Sequence, residues 1–181
     1  MILSRYNKQE SIMAFLNPSK VLKELNLKED LVAADFGCGS GGWVLPLAQI
    51  LKDGKVYAID ILKEPLSALK SKMKTFKISN IEPVKADVEK SSKLFDNSCN
   101  LVLVTNLLFE ANNISDILEE AKRVLKDNGQ LLIVDWQHDS PLGPEKKILS
   151  DDVEIIAKNL GFKLKKEFKA GIYHWALILV K

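Results

Sequence analysis

Three aspartates stand where three short β-like runs end: Asp35 after Leu31-Val-Ala-Ala34, Asp60 after Lys55-Val-Tyr-Ala-Ile59, and Asp87 after Glu82-Pro-Val-Lys-Ala86. Gly37, Gly39 and Gly41 alternate directly behind the first of them, and a helical pattern starts at Trp43. Glycine reaches left-handed backbone angles without a clash and lets another molecule approach the main chain closely. The helix start beyond such a turn presents unpaired amides, which suit a polar, anionic part of a ligand. Carboxylates are acceptors only, so acids at neighbouring strand ends suit hydroxyl or amine donors. Two further residues could do acid–base or orienting work: His138, one of two histidines, and Glu110. Histidine is the side chain that exchanges protons near neutrality, and a base beside the ligand would come from a loop such as the one carrying His138. A solvated loop histidine and a solvated helix-start glutamate are the simpler accounts of both, and no catalytic residue is assigned.

These residues need a frame, and the periodicity supplies one. Strands are expected over Leu31–Phe36, Lys55–Ile59, Glu82–Ala86, Asn100–Asn106 and Gln130–Trp136. Helices are expected between them: Trp43–Leu51, then Lys63–Phe76 with an apolar stripe of Leu66, Leu69, Met73 and Phe76, then a helix carrying Ile114, Ile117, Leu118, Ala121, Val124 and Leu125. Asp127-Asn-Gly129 reads as the glycine stop of that helix. Ser150 reads as the N-cap of a further helix that Gly161 ends, and Phe162–Phe168 with Ile172–Val180 reads as a closing hairpin. The fourth run is nearly all apolar, as a central parallel strand covered on both faces requires. Strand–helix alternation predicts an α/β architecture, an open parallel sheet with helices on both faces. Residues 1–30, with helical spacing over 9–16 and a second short helix after Asn17-Pro18, read as a cover over one single domain with its core at 31–181.

The glycine turn fits two templates. Gly37-x-Gly39-x-x-Gly42 with Asp60 at the next strand end matches the dinucleotide fingerprint. The same residues also read Asp35-x-Gly37-x-Gly39-x-Gly41. In that form the chain resembles the class I S-adenosylmethionine-dependent methyltransferases over residues 31–181, on the phrase D-F-G-C-G-S-G-G, the acid Asp60, the third acid Asp87 and the terminal helix and hairpin. The resemblance implies a three-layer Rossmann-like sandwich whose seven-stranded, mostly parallel sheet has the order 3-2-1-4-5-7-6 and an antiparallel last strand. It implies cofactor contacts at Asp35, Phe36, Gly37, Cys38, Gly39 and Gly41 in the turn, at Asp60, Ile61 and Leu62, at Ala86, Asp87 and Val88, and at Asn106 and Leu107. In that arrangement Asp35 receives the cofactor's ammonium, backbone amides near Gly37 and Gly39 line the methionine part, and Asp60 accepts the ribose hydroxyls. Ile61 and Leu62 flank the adenine, Asp87 and the Val88 amide hold its edge, and Asn106 and Leu107 pass beneath the methionine part.

Methyl transfer from a sulfonium rests largely on alignment, so the lack of a catalytic triad does not argue against it. The fourth strand exits through Thr105-Asn106-Leu107-Leu108, without the Asn/Asp-Pro-Pro-aromatic signature of amino-methyltransferases acting on bases or protein amides. A small-molecule acceptor is expected. The alternatives are an RNA or protein methyltransferase using the lysine-rich surface, a cofactor-binding domain without catalysis, or an NAD-binding protein. The net charge of +2 is too small to indicate nucleic acid by itself, and lysines at 70, 72, 74 and 77 are explained as well by a solvated helix face. Cys38 and Cys99 have no zinc spacing and are too few for a thiol site that would take arsenic. No window reaches the roughly 18 apolar residues of a membrane span and no signal-peptide pattern opens the chain, so a cytoplasmic protein is expected.

Overall fold

The computed structural model describes residues 15–181; the helix expected over 9–16 lies almost wholly outside them. The chain runs through α1 (Pro18–Leu22), a 3-10 turn (Lys23–Leu25), β1 (Val32–Phe36), α2 (Val44–Ile50), β2 (Lys55–Asp60), α3 (Lys63–Phe76) and β3 (Ile81–Lys85). It continues through β4 (Cys99–Thr105), a second 3-10 turn (Leu108–Glu110), α4 (Ile114–Val124), β5 (Leu125–Trp136), α5 (Ser150–Asn159), β6 (Lys163–Lys169) and β7 (His174–Val180). The sheet order is β3-β2-β1-β4-β5-β7-β6, with β1 to β5 parallel and β7 antiparallel to both its neighbours. This is the predicted seven-stranded arrangement.

Strand alternation divides the core into two clusters. Ala34, Phe36, Val102, Val104, Ile133 and Leu177 meet α4 and α5 on one face. Ala33, Leu101, Leu103, Leu132, Val134 and Ala176 meet α1, α2 and α3 on the other. Side chains two apart share a face of a strand, so the sheet's buried residues serve both layers. β6, reading Lys-Leu-Lys-Lys-Glu-Phe-Lys, is the charged outer edge, which discourages pairing with another chain. Gly41 (φ +93°) sits where a Cβ would stand 2.6 Å from Leu69 Cδ1, so its bare backbone lets the turn press on α3. Leu69 is fully buried there, a burial worth roughly 1.5–3 kcal/mol.

Two expected helix boundaries need correction. Gly129 does not stop α4, which ends at Val124; Leu125 is already extended (φ −70°, ψ 136°), fully buried and paired with Cys99 of β4. Residues 126–129 then bulge, with Asn128 left-handed (φ 61°), before pairing resumes at Leu101 and Gln130. Burying Leu125 in the sheet overrides the local helical pattern. Ser150 is not the N-cap of α5 either: extended Leu149 holds that position without a side-chain cap, and Ser150 is the first helical residue. Asp151 and Asp152 in the first turn supply the negative charge that a helix start favours.

Candidate functional site

At the carboxyl ends of β1 to β4 the polypeptide leaves a cavity of about 400 Å³, within the range of small-molecule sites. Its walls come from consecutive strand ends: Gly37 and Gly39 after β1, Asp60, Ile61 and Leu62 after β2, Ala86, Asp87 and Val88 after β3, and Asn106, Leu107 and Glu110 after β4. Parallel strands in register bring these distant residues to one edge, since every crossover returns the chain to the same side. Ile61 and Leu62 are half exposed at the rim.

Gly37 adopts φ +73°, and a Cβ there would stand 2.9 Å from Leu107 Cδ1. Glycine therefore lets the turn after β1 and the turn after β4 close on one another. At Gly39 nothing lies within 4 Å of a Cβ position, so the turn faces open cavity at that point. The turn's amides are largely spent inside the protein. Gly37 and Cys38 donate to Ile59 O at 2.9 Å each, Gly41 donates to Cys38 O at 3.0 Å, and Gly39 donates to Asp60 Oδ2 at 2.9 Å. The amides of 37–39 are thus already paired inside the protein. Phe36 is fully buried in the core against the α4 and α5 layer, Gly41 packs on Leu69, and Cys38 is buried; none of the three lines the cavity.

The charge of the cavity points the other way, toward a cation. Asp60, Asp87, Glu89 and Glu110 line it, and among the described residues no lysine, arginine or histidine does. Asp35 lies behind the turn, fully buried, with neither carboxylate oxygen hydrogen-bonded among the described residues. Burial, with repulsion from Asp60 added, holds its proton affinity well above that of an ordinary aspartate. The same two carboxylates, after burial, push the Cys38 thiol up. Asn106 (φ 50°) also has a buried side-chain oxygen without a partner among the described residues. Orphaned buried acceptors are uncommon, and each marks a place where a donor is wanted. Asp87 is partly occupied: it pairs with Lys90 at 2.8 Å and accepts the Glu89 amide at 3.1 Å, and the Lys90 bond holds its carboxyl low.

Sequence reasoning missed several residues of this edge. Glu89 Oε1 accepts the Asn112 amide and Oε2 the Asn113 amide, both at 3.1 Å, and so ties the β3 exit to the start of α4. Asp135, fully buried near the end of β5, accepts the Leu108 amide at 3.0 Å and the Trp136 amide at 2.8 Å. Its one signal was being a fourth acid at a strand end. His138 is exposed and lines a separate concavity with Gln137, Ser150, Phe168 and Trp175, not the acidic cavity. His174 is fully buried, its ring 4.3 Å from that of Trp136, and burial pushes it down to about 4. The Phe15 backbone opposes that shift but reaches neither ring nitrogen with hydrogen-bonding geometry.

Residues 34–133 match the family model described as "Methyltransferase domain", and the chain belongs to that family. Its fold, glycine turn and acids make it a class I S-adenosylmethionine-dependent methyltransferase, with S-adenosylmethionine as cofactor. It is similar to a SAM-dependent methyltransferase of Aquifex aeolicus known from a crystal structure, at 28% identity and TM-score 0.85, over 98% of this chain and 97% of that one. A demethylmenaquinone methyltransferase of Oceanobacillus iheyensis is 26% identical over 179 residues, covering 96% of this chain and 74% of that protein. One of the same name from Bacillus velezensis is 27% identical over 150 residues, covering 78% of this chain and 63% of its own length. No helix among the described residues is long and apolar enough to cross a membrane.

Proposed function

We propose that the acidic cavity holds S-adenosylmethionine and presents its methyl to a small organic acceptor. The observation that carries the reading is the set of acceptors orphaned among the described residues, Asp35 Oδ1, Asp35 Oδ2 and Asn106 Oδ1, beside a cavity to which those residues contribute four acids and no basic side chain. A pyrophosphate-bearing dinucleotide would meet like charge here, whereas a ligand with an ammonium and a sulfonium meets its counter-charge. The residues present therefore fit this cofactor. Asp35 and Asn106 would receive the ammonium end, and Asp60, already oriented by the Gly39 and Leu62 amides at 2.9 Å each, would accept the ribose diol. Asp87 and the Val88 amide would hold the adenine edge, with Ile61 and Leu62 along the ring and Leu107 closing the wall. When bound, the group supplies a methyl on a positively charged sulfur, ready for displacement by a nucleophile. The chain's part is to hold that end still and desolvated, a positioning effect worth on the order of 7–11 kcal/mol where alignment is good.

The relatives named demethylmenaquinone methyltransferase support a small-molecule acceptor and make a demethylated quinol the first to assay. Calorimetry with S-adenosylmethionine and with NAD tests the cofactor reading. Binding of the first alone is expected, and binding of NAD alone would overturn it. Mass detection of one added methyl on a demethylated naphthoquinol tests the acceptor, against RNA and protein under the same conditions; methylation of RNA alone would reverse the choice.

A further inference from the structure

Asp135 is a buried acid that the cavity does not use directly: it is fully buried and absent from the cavity wall. Its partners explain its place. Oδ2 accepts the Leu108 amide at 3.0 Å and Oδ1 accepts the Trp136 amide at 2.8 Å, with the flanking amides of Leu107 and Phe109 close enough to lower its proton affinity. The 3-10 turn Leu108–Glu110 has no side-chain cap of its own, and the first amides of such a turn lack internal partners. A carboxylate supplied from the neighbouring strand takes that role. The same turn carries the cavity wall: Asn106, in a left-handed conformation at φ 50° with its orphaned oxygen, Leu107 packed on Gly37, and Glu110 at the rim.

We propose that Asp135 is a positioning residue for the cofactor pocket, holding Asn106 and Leu107 in their binding positions through the Leu108 amide at the start of the 3-10 turn. This rests on the S-adenosylmethionine reading of the cavity. The residue touches no ligand and acts only through the turn. Burial, opposed by the backbone amides around it, raises Asp135 to about 6. No charged neighbour enters that balance. Glu110 on the same turn is exposed at the rim, Glu120 of α4 is bonded to Arg123 and Ser92, and His174 of β7 lies on the opposite face of the sheet. The hold on the turn therefore weakens as pH falls through about 6, when the carboxylate gains a proton and loses acceptor strength.

Two measurements test this. Calorimetry of S-adenosylmethionine with wild type and Asp135→Asn at pH 7.5 is expected to show binding weakened about tenfold in the variant, the scale of one charge-assisted hydrogen bond. In cofactor-free wild type, the backbone amide resonances of Leu107, Leu108, Phe109 and Trp136 are expected to titrate together with a midpoint near 6, a response that a passive packing role would not give. Equal binding by wild type and variant overturns the proposal. If the variant does not fold, amides that stay flat between pH 5 and 7 in wild type overturn it, and the shared midpoint upholds it. Failure of wild type itself to bind S-adenosylmethionine overturns the cofactor reading and this proposal with it, whereas a loss confined to the variant upholds both.

Discussion

Asp60 Oδ2 holds the amide of Gly39 at 2.9 Å, across the gap between the β1 turn and the end of β2. Its other oxygen holds the Leu62 amide at 2.9 Å, so one carboxylate fixes the turn and the start of α3 together. Each oxygen keeps a further lone pair for the cavity. Asp60→Ala is expected to weaken S-adenosylmethionine binding about 100-fold, since two hydrogen bonds to a charged acceptor are lost at roughly 1.5 kcal/mol each. Asp60→Asn should fall between, because an amide keeps one acceptor. Calorimetry decides it: an alanine variant that binds within threefold of wild type would remove Asp60 from the site.

Asp35 makes an opposite pair of demands on stability and binding. Its carboxyl is buried without a partner among the described residues, and its proton affinity is raised, first by burial and then by Asp60. A raised folded-state pKa means that the stability tied to the protonated form is complete below the unfolded value and is lost as pH rises through the folded one. The cofactor-free protein should therefore lose more stability across that window than Asp35→Asn does. At neutral pH the variant is expected to melt about 3 °C higher without cofactor, from relief of roughly 1 kcal/mol for burying an ionisable carboxyl beside Asp60, while binding S-adenosylmethionine at least tenfold more weakly. A variant that melts lower and binds normally would make Asp35 an ordinary structural carboxylate.

Much of this edge was legible in advance because strand ends are local features. Asp60, Asp87, Asn106 and Leu107 could be placed from periodicity and the family phrase, and parallel pairing carried them to one cavity. What escaped was set by contacts between segments. Asp135 gains its role from a turn 27 residues earlier in the chain, and Glu89 from Asn112, 23 residues later. The bulge at 126–129 likewise follows from Leu125 pairing with Cys99 rather than from Asp127-Asn-Gly129 itself. Phe36 and Gly41 sit inside the family phrase, yet one fills the core and the other admits α3. A motif fixes a backbone path, and the direction of each side chain along it depends on what packs on either face.

His138 offers a check on the boundary of the site. It is exposed and lines a concavity apart from the acidic cavity. His138→Gln is expected to leave S-adenosylmethionine affinity within twofold of wild type and to leave the pH profile of methyl transfer in place. A rate loss of tenfold or more with the profile altered would instead put the β5 loop at the acceptor.

His174 governs the acid side of stability. It is fully buried between Trp136, 4.3 Å away, and Phe15, 5.6 Å away, and burial lowers it from 6.5 to about 4. Between those values the unfolded chain takes a proton that the folded chain refuses, so stability falls as pH drops from 6.5 toward 4. The loss is on the order of 2–3 kcal/mol. Asp35 and Asp135, both raised, act with the opposite sign, so the effect is read as a difference between proteins. His174→Phe keeps a flat ring against Trp136 and removes the titration. Denaturant unfolding at pH 7 and at pH 4.5 should therefore show the variant gaining on wild type by about 2 kcal/mol at the lower pH. A difference that stays constant with pH would mean that the ring is solvated or hydrogen-bonded in solution, and the aromatic enclosure formed by Phe15 and Trp136 would not be closed.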